Sequence, residues 1–376
     1  MEPVTHFLTG ACIGRAGLNR KTALATVAAV LAAEAADLDV VWGLGGPVDE
    51  LKHHRGITHT FIAAPVVAGV VTLVVWGYHV WRERRRARKL ATLTLEPGAP
   101  LPPSLAPRKL HLGWLYLATL IAALSHILLD WTNNYGVRPF FPFNPQWYAG
   151  SFVFIAEPVL WALFLAALVF PWLFGITDRE IGARSKGPRG QYWALFALTG
   201  MVLVWILRFT TQQQALAMLR TQPITTQPVV RATVEPFPVN PFRWHAIVET
   251  SAFFQTAEIN TRTGIIDSDP QRDVLFKPTE TPAVQAAKQT ELGKVYLDWG
   301  RWAVVRDIGQ ETVAGVEPPH LGPGRTWTTV EFSDLRFDYA FRGEGRSSGS
   351  AVLSGYVYIV DGRDDAGQIM NGREQK

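Results

Sequence analysis

The sequence has little charge and almost no cysteine. Only 18% of its 376 residues are Asp, Glu, Lys or Arg, whereas 48% are hydrophobic, and this balance argues against intrinsic disorder and against an ordinary single soluble domain. Its one cysteine, Cys12, cannot form an intrachain disulfide, so no disulfide framework is available. The segment from Met1 to Thr5 contains no basic residue, and we therefore expect no cleavable signal peptide.

The few charges are unevenly distributed along the chain. Residues 1–209 contain 19 Lys and Arg against 12 Asp and Glu, a net charge of +7. Residues 210–376 contain 17 against 20, a net charge of −3. We therefore expect the two parts of the chain to face different solvents.

Long uncharged stretches predict membrane spans in the first part. Residues 60–81 contain no Asp, Glu, Lys or Arg, and these 22 positions are enough for a helix to cross a hydrocarbon core of about 30 Å. Residues 3–16 and 22–36 are short and predict a helical hairpin bent near Gly17. The sequence thus predicts an α-helical membrane domain of about five spans, the hairpin included. The further candidate spans are residues 110–129, 151–176 and 191–207.

The second part has the pattern of a soluble, β-rich α+β domain. Short runs of β-branched and aromatic residues alternate there with turn signals. We expect a membrane domain over residues 1–209, a proline-rich linker over 210–242 and a soluble domain over 243–376. The predicted strands are residues 244–250, 253–259, 302–308, 327–332 and 352–360.

Basic residues are concentrated in three loops. Six lie within residues 82–89, and others lie within 178–190 and beside the hairpin bend. The positive-inside rule predicts that all three loops are cytoplasmic, and the C-terminal domain is then on the other side of the membrane. Because the basic run lacks interleaved aromatic residues and a binding motif, we expect no nucleic-acid partner.

With this orientation, histidines and carboxylates from several separate segments lie at the outer membrane face. His126 and Asp130 are four residues apart, so they share one face of a helix and can bind one cation. His54 and His59 flank Gly56, which can supply a turn. The predicted metal ligands are His6, Asp37, Asp39, His54, His59, His126 and Asp130.

Imidazole and carboxylate ligands together favour zinc, manganese or iron over calcium. Zinc is the default for hydrolysis, because it lowers the pKa of bound water to about 7, and we expect one or two ions. Asp37, Asp39 and Glu157 are the candidate catalytic bases. Arg55 and Arg138 adjoin ligand segments, and we expect them to bind an anionic headgroup bidentately.

Several short motifs occur in one order along the chain. They are His6-Phe7-Leu8-Thr9-Gly10, Asp37-Leu38-Asp39, His54-Arg55-Gly56-Ile57-Thr58-His59, His126-Ile127-Leu128-Leu129-Asp130, Tyr135-Gly136-Val137 and Pro139-Phe140. Together they resemble the YdjM-like family of bacterial inner-membrane, metal-dependent hydrolases over about residues 1–175. The resemblance implies an α-helical zinc site and phosphoester hydrolysis, through a distant relationship to zinc-dependent phospholipase C and the P1 nuclease.

The sequence therefore predicts a membrane-embedded metallohydrolase whose site opens at the outer face of the inner membrane. We expect it to use metal-activated water on a phosphoester or lipid-linked substrate among membrane lipids. Two alternatives stay open. A transporter or metal-sensing protein can use the same His/Asp site for a transient cation or proton, or residues 210–376 carry the function and the membrane part anchors them.

Overall fold

The computed structural model describes residues 1–91, 109–180, 190–338 and 353–375. The chain forms two compact units, each built from two segments. The greater part of the basic loop 178–190 and of the proline-rich stretch 90–109 lies outside the described residues. The first unit comprises Met1–Leu38 and Ile57–Ile206, and the second comprises Asp39–Gly56 and Leu207–Lys376.

The first unit begins with a hairpin of short helices. Helix α1 (Pro3–Ile13) is joined through a π-helical turn and α2 (Asn19–Lys21) to α3 (Ala25–Glu34). Gly17 forms the bend with φ of 134°, a conformation that L side chains rarely adopt. The buried face of α3 consists of alanines, and these small side chains allow close helix packing. The hairpin predicted from the sequence is confirmed.

Within the described residues, four helices are long and apolar enough to cross a membrane. On the first of these, Val66 and Leu73 are 65% and 62% exposed, as expected of side chains that face lipid. Small polar residues lie between the helices instead: the hydroxyl oxygens of Thr72 and Thr119 are 2.9 Å apart. The four helices are α5 (Ala63–Ala91), α6 (Leu112–Thr132), α7 (Pro158–Glu180) and α8 (Gln191–Thr221).

The second unit contains two five-stranded antiparallel sheets. The first has the order β1 (Val229–Pro236), β2 (Arg243–Thr250), β3 (Phe253–Asn260) and β4 (Ile265–Asp267), and β5 (Val274–Phe276) also pairs with β3. The second has the order β10 (Arg373–Glu374), β9 (Asp364–Met370), β8 (Gly355–Val360), β7 (Trp327–Asp334) and β6 (Ala303–Asp307). The described part of this unit also contains the helices α4 (Pro47–His53), α9 (Pro282–Gln289) and α10 (Glu291–Trp299). The predicted β-rich α+β character is confirmed.

Residues 210–242 are more ordered than the expected linker. Helix α8 continues to Thr221 and β1 begins at Val229. The buried Arg208 donates a hydrogen bond to the carbonyl of Phe237 at 2.9 Å, and Thr211 donates one to the carbonyl of Pro241 at 2.6 Å. These non-local bonds hold the stretch in place, and proline content alone does not reveal them.

Glu157 lies within the predicted span 151–176, but it precedes the helix that forms there. The preceding residues are extended because their amides bond to the end of α6: Gly150 donates to the carbonyl of Trp131 at 2.6 Å, and Phe152 to that of Thr132 at 3.0 Å. Helix α7 therefore begins only at Pro158.

A buried ion pair lies in the core of the second unit. The guanidinium of Arg336, 1% exposed, donates from Nε and Nη2 to the two carboxylate oxygens of Asp334, both at 2.9 Å. It also donates to the carbonyl of Trp299 at 3.2 Å and lies 4.9 Å from the centre of that ring. Because both charges are removed from water, removing one of them leaves the other buried without its partner, and this destabilises the fold.

We predict that Asp334→Asn destabilises the second unit. Removing one partner of a buried ion pair costs about 3–5 kcal/mol, so the thermal midpoint of the full-length protein in detergent, followed by tryptophan fluorescence, is expected to fall by several degrees. The matched control is Asp361→Asn, whose carboxylate is 43% exposed and pairs with Arg325 at 2.7 Å. Equal midpoints for both variants would contradict a stabilising role for the buried pair.

Candidate metal centre

Four side chains of the first unit converge on one point. Their ligand atoms all lie within 4.8 Å of one another, and we call this group the metal cluster. The 3-10 helix Ala35–Leu44 and the 3-10 turn Ile57–His59 contribute one residue each, and α6 contributes two. The members of the cluster are Asp37, His59, His126 and Asp130.

The separations within the metal cluster suit a tetrahedral ion. Nε2 of His59 lies 3.2 Å from Oδ1 of Asp37 and 3.4 Å from Oδ2 of Asp130. Nε2 of His126 lies 3.5 Å and 3.3 Å from the same two oxygens. Ligands that bind a tetrahedral ion at 2.0–2.1 Å are about 3.3–3.4 Å apart. The four nitrogen–oxygen separations thus match those expected around one small divalent ion.

Hydrogen bonds at the far side of each imidazole direct Nε2 toward the cluster. Nδ1 of His126 donates to the carbonyl of Ala33 at 2.6 Å, and because a carbonyl only accepts, the proton is on Nδ1. Nδ1 of His59 lies 3.0 Å from the hydroxyl of Thr58. Such partners fix the orientation of metal-binding histidines and raise their basicity.

The cluster brings two carboxylates into a largely buried place. The side chains of His59, His126 and Asp130 are fully buried, whereas that of Asp37 is 20% exposed. Oδ1 of Asp37 lies within 3.5 Å of Nε2 of both histidines. The amino group of Met1 contacts Asp130. Buried carboxylates favour a nearby cation, so a divalent ion suits this donor set.

His6 lies beside the metal cluster without being one of its four members. Its fully buried ring stacks on that of His126, with centroids 3.8 Å apart. Nε2 of His6 is 3.4 Å from Oδ1 of Asp130, whereas the cluster uses Oδ2. The predicted ligand His6 therefore contacts the opposite oxygen of a shared carboxylate.

Three other predicted site residues belong to the second unit and bond with one another. Oδ1 of Asp39 is 3.0 Å from Nδ1 of His54, and Oδ2 accepts the backbone N–H of Arg55 at 2.8 Å. Asp37 and Asp39 differ in role because a 3-10 helix has three residues per turn, so positions two apart point in different directions. Arg55, which the sequence predicts to bind an anionic headgroup, is only 2% exposed.

Glu157 and Arg138, the remaining predicted residues, lie in the first unit. Glu157 is fully buried, and its Oε1 accepts the amide of Val159 at 3.4 Å at the start of α7. The guanidinium carbon of Arg138 lies 4.5 Å from the ring centre of Trp147 and 5.2 Å from that of Phe141. Neither Glu157 nor Arg138 is a member of the metal cluster.

Sequence reasoning missed two residues near the cluster. The hydroxyl of Thr58 lies 3.0 Å from Nδ1 of His59, and Thr60 caps α5 by accepting the amide of Ala63 at 3.0 Å. Both residues adjoin His59 in the sequence, and this adjacency was the available signal.

The chain belongs to the YdjM inner membrane protein family, whose model matches residues 1–215 and thus contains the whole metal cluster. The chain is also 23% identical over 320 residues to the uncharacterized protein YfhP of Bacillus subtilis (strain 168), a match covering 81% of this chain and 82% of YfhP. No solved structure matches the chain. The distant relationship to zinc-dependent phospholipase C and the P1 nuclease therefore stays a prediction.

We predict that purified wild-type protein contains a stoichiometric divalent metal and that His126→Ala and Asp130→Asn do not. Each variant removes one of four ligands, and loss of a ligand is expected to lower metal affinity by more than the 10–100-fold typical of outer-shell changes. Elemental analysis of the detergent-purified protein measures this. The matched control is His111→Ala, because His111 directly precedes α6 at the end opposite to His126 and Asp130. Unchanged metal content in both cluster variants would refute the site.

Thr58→Ala is expected to weaken metal binding without abolishing it. Loss of the hydroxyl beside Nδ1 of His59 removes an orienting contact, and such changes typically cost 10–100-fold in affinity. Competition with a chelating dye measures the dissociation constant. Thr210→Ala is the control, because that exposed hydroxyl bonds only to the carbonyl of Leu207 in its own helix. A Thr58→Ala affinity equal to that of the control would rule out the positioning role.

Proposed function

We propose that this member of the YdjM family is a membrane-bound, metal-dependent hydrolase acting on a phosphoester of a lipid or lipid-linked substrate. The metal cluster is the observation that carries the proposal. Two imidazole nitrogens and two carboxylate oxygens at separations of 3.2–3.5 Å favour zinc among the common divalent ions. When bound, such a cation lowers the pKa of water toward 7 and offsets charge that develops on a phosphoryl oxygen.

The exposure of the cluster indicates from which side a substrate approaches. Asp37 is the member whose side chain is partly exposed, whereas His126 and Asp130 are fully buried. We therefore propose that the reacting group enters on the Asp37 side. Of the three catalytic bases predicted from the sequence, Asp37 is the one that belongs to the metal cluster.

Arg138 is suited to bind an anionic headgroup. Its guanidinium lies against the rings of Trp147 and Phe141, and guanidinium groups bind phosphate bidentately. The next residue, Pro139, accepts the amide of Phe61 at 3.0 Å. Because Phe61 follows His59 by two residues, this bond ties the arginine segment to a ligand-bearing segment.

An exposed apolar surface beside this segment supports a lipid substrate. The rings of Phe61 and Phe140 are in contact, with centroids 5.6 Å apart, and are 47% and 46% exposed. Ile62 is 60% exposed and Phe143 is 81% exposed. Ile62 directly precedes α5, whose exposed Val66 continues the same apolar character into the span. Aromatic residues at the end of a span are typical of the membrane interface.

The orientation of the protein is part of the proposal. The basic end of α5, with six Lys and Arg in residues 82–89, is expected on the cytoplasmic side. His59, at the opposite end of α5, and Asp130, near the C-terminal end of α6, then belong to the outer face of the inner membrane. The C-terminal domain is proposed to lie on that same non-cytoplasmic side, because α8 begins at the cytoplasmic side and leads into it.

We predict metal-dependent phosphoester hydrolysis by the full-length protein in detergent. A panel of phospholipids and a soluble chromogenic phosphodiester are assayed for released headgroup or phenol. Chelation is expected to lower the rate at least about 100-fold, since several kcal/mol of charge stabilisation are lost, and added zinc restores it. Asp37→Asn is expected to be inactive, whereas His111→Ala retains the wild-type rate.

A transporter is the alternative, and the complete burial of His126 and Asp130 within a span is the observation that favours it. The two functions separate in one comparison. A hydrolase acts in detergent, whereas a transporter moves cations or protons only across sealed vesicles. No product from any member of the panel, together with metal-dependent flux in proteoliposomes, would replace the proposed hydrolase by a transporter.

A further inference from the structure

One segment of the second unit interrupts the metal cluster in sequence. Asp39–Gly56 belongs to the second unit, yet it lies in the chain between the cluster members Asp37 and His59. It begins two residues after the first ligand and ends three residues before the second. The conformation of this segment therefore determines the direction of the chain after Asp37 and before His59.

The segment is closed at its base by its own first residue. The carboxylate of Asp39 contacts Nδ1 of His54 at 3.0 Å and accepts the amide of Arg55 at 2.8 Å. Arg55 has φ of 53°, in the left-handed region, which turns the chain at this point. The two ends of the segment are thus joined by a buried carboxylate, so they cannot separate without breaking these bonds.

The body of the segment packs against the C-terminal domain. Helix α4 contacts α10 and β9. Its apolar side chains Val48 and Leu51 are only 1% and 5% exposed, so burial against the domain contributes to holding the helix. A segment that the sequence assigned to the membrane domain is therefore part of the core of the other unit.

The side chain of Gln375 binds the turn that leads into α4. Its Oε1 accepts the amide of Val48 at 2.8 Å, and its Nε2 donates to the carbonyl of Gly45 at 2.9 Å. Gly46 lies between these two residues with φ of 125°, and a Cβ there would be 2.3 Å from Oε1 of Gln375. Only glycine permits this approach. The amide side chain thus fixes the turn through both of its polar atoms.

Two ion pairs of opposite polarity complete the attachment. Nζ of Lys52 lies 2.7 Å from Oε1 of Glu291, and Nη2 of Arg373 lies 2.7 Å from Oε2 of Glu50. All four side chains are partly exposed, so each pair alone contributes little stability. Because α4 supplies one charge of each sign, the two pairs together define its register on the domain.

We propose that the C-terminal domain positions Asp37 and His59 for metal binding by holding the segment Asp39–Gly56. Gln375, Glu291 and Arg373 are then positioning residues, since they touch the segment and not the metal. Release of the segment from the domain leaves its two ends joined through Asp39 but free to move together. Ordering the attached ligands again then opposes metal binding. This inference rests on the metal cluster of the proposed function and assigns a role to the C-terminal domain.

The experiment compares zinc affinity in charge-reversed and charge-restored full-length proteins. The broken variant combines Glu291→Lys, Arg373→Glu and Gln375→Ala, and we expect its zinc dissociation constant, measured by chelator competition in detergent, to rise about tenfold, within the range usual for coupled sites. Adding Lys52→Glu and Glu50→Arg restores both ion pairs with exchanged signs. We expect this restored protein to recover most of the lost affinity.

Two further variants separate positioning from general loss of stability. Gln375→Ala alone is expected to weaken zinc binding in the same direction by a smaller factor. Arg325→Glu breaks ion pairs with Asp361 and Asp364, which lie outside the segment, and is expected to bind zinc as the wild type does.

Wild-type zinc affinity in the broken variant would overturn the inference. So would a charge-restored protein that has the thermal midpoint of the wild type but does not recover zinc affinity. If the broken variant does not fold, Gln375→Ala decides, and an unchanged affinity there also overturns it. Zinc affinity is measured without substrate, so an absence of hydrolysis in the wild type would refute the proposed function and leave this inference standing.

Discussion

The central constraint of the first unit is the meeting of two carboxylates inside a membrane protein. Asp130 is fully buried and Asp37 is 20% exposed, and both face the Nε2 atoms of two histidines. Charges of one sign in such a place are costly unless a cation neutralises them. Other features serve this arrangement: the alanine face of α3 brings the carbonyl of Ala33 to His126, and Thr58 orients His59. The helical hairpin and the spans thus together build one cation site.

The elements of the fold were predictable wherever the signal was local. The uncharged run at residues 60–81 became most of the apolar part of α5, and the strand pattern at 244–250 became β2. The start of α7 was not predictable, because amides of Gly150 and Phe152 bond to carbonyls of α6 that are distant in sequence. The same limit applies to Asp39–Gly56, whose place in the second unit depends on partners about 240–330 residues away.

The metal cluster was only partly predictable for the same reason. The four-residue spacing of His126 and Asp130 has one geometric meaning on a helix, and the structure brings both into the cluster. Asp37 and Asp39 were equivalent in sequence, and only the 3-10 helix separates them. The pairing of His54 with Asp39 instead of the cluster depends on the fold of an entire segment. The family match covers residues 1–215, and all four members of the cluster lie within this range.

The proposed metal centre consists of one ion held by two imidazole nitrogens and two carboxylate oxygens. X-ray absorption at the zinc edge of the purified full-length protein tests this most directly, because it reports both the identity of the ligand atoms and their distances. We predict a five-coordinate site with two imidazole nitrogens, two carboxylate oxygens and one water oxygen, all at about 2.0–2.2 Å. A six-coordinate hydrated spectrum without imidazole, or a site containing sulfur, would contradict it.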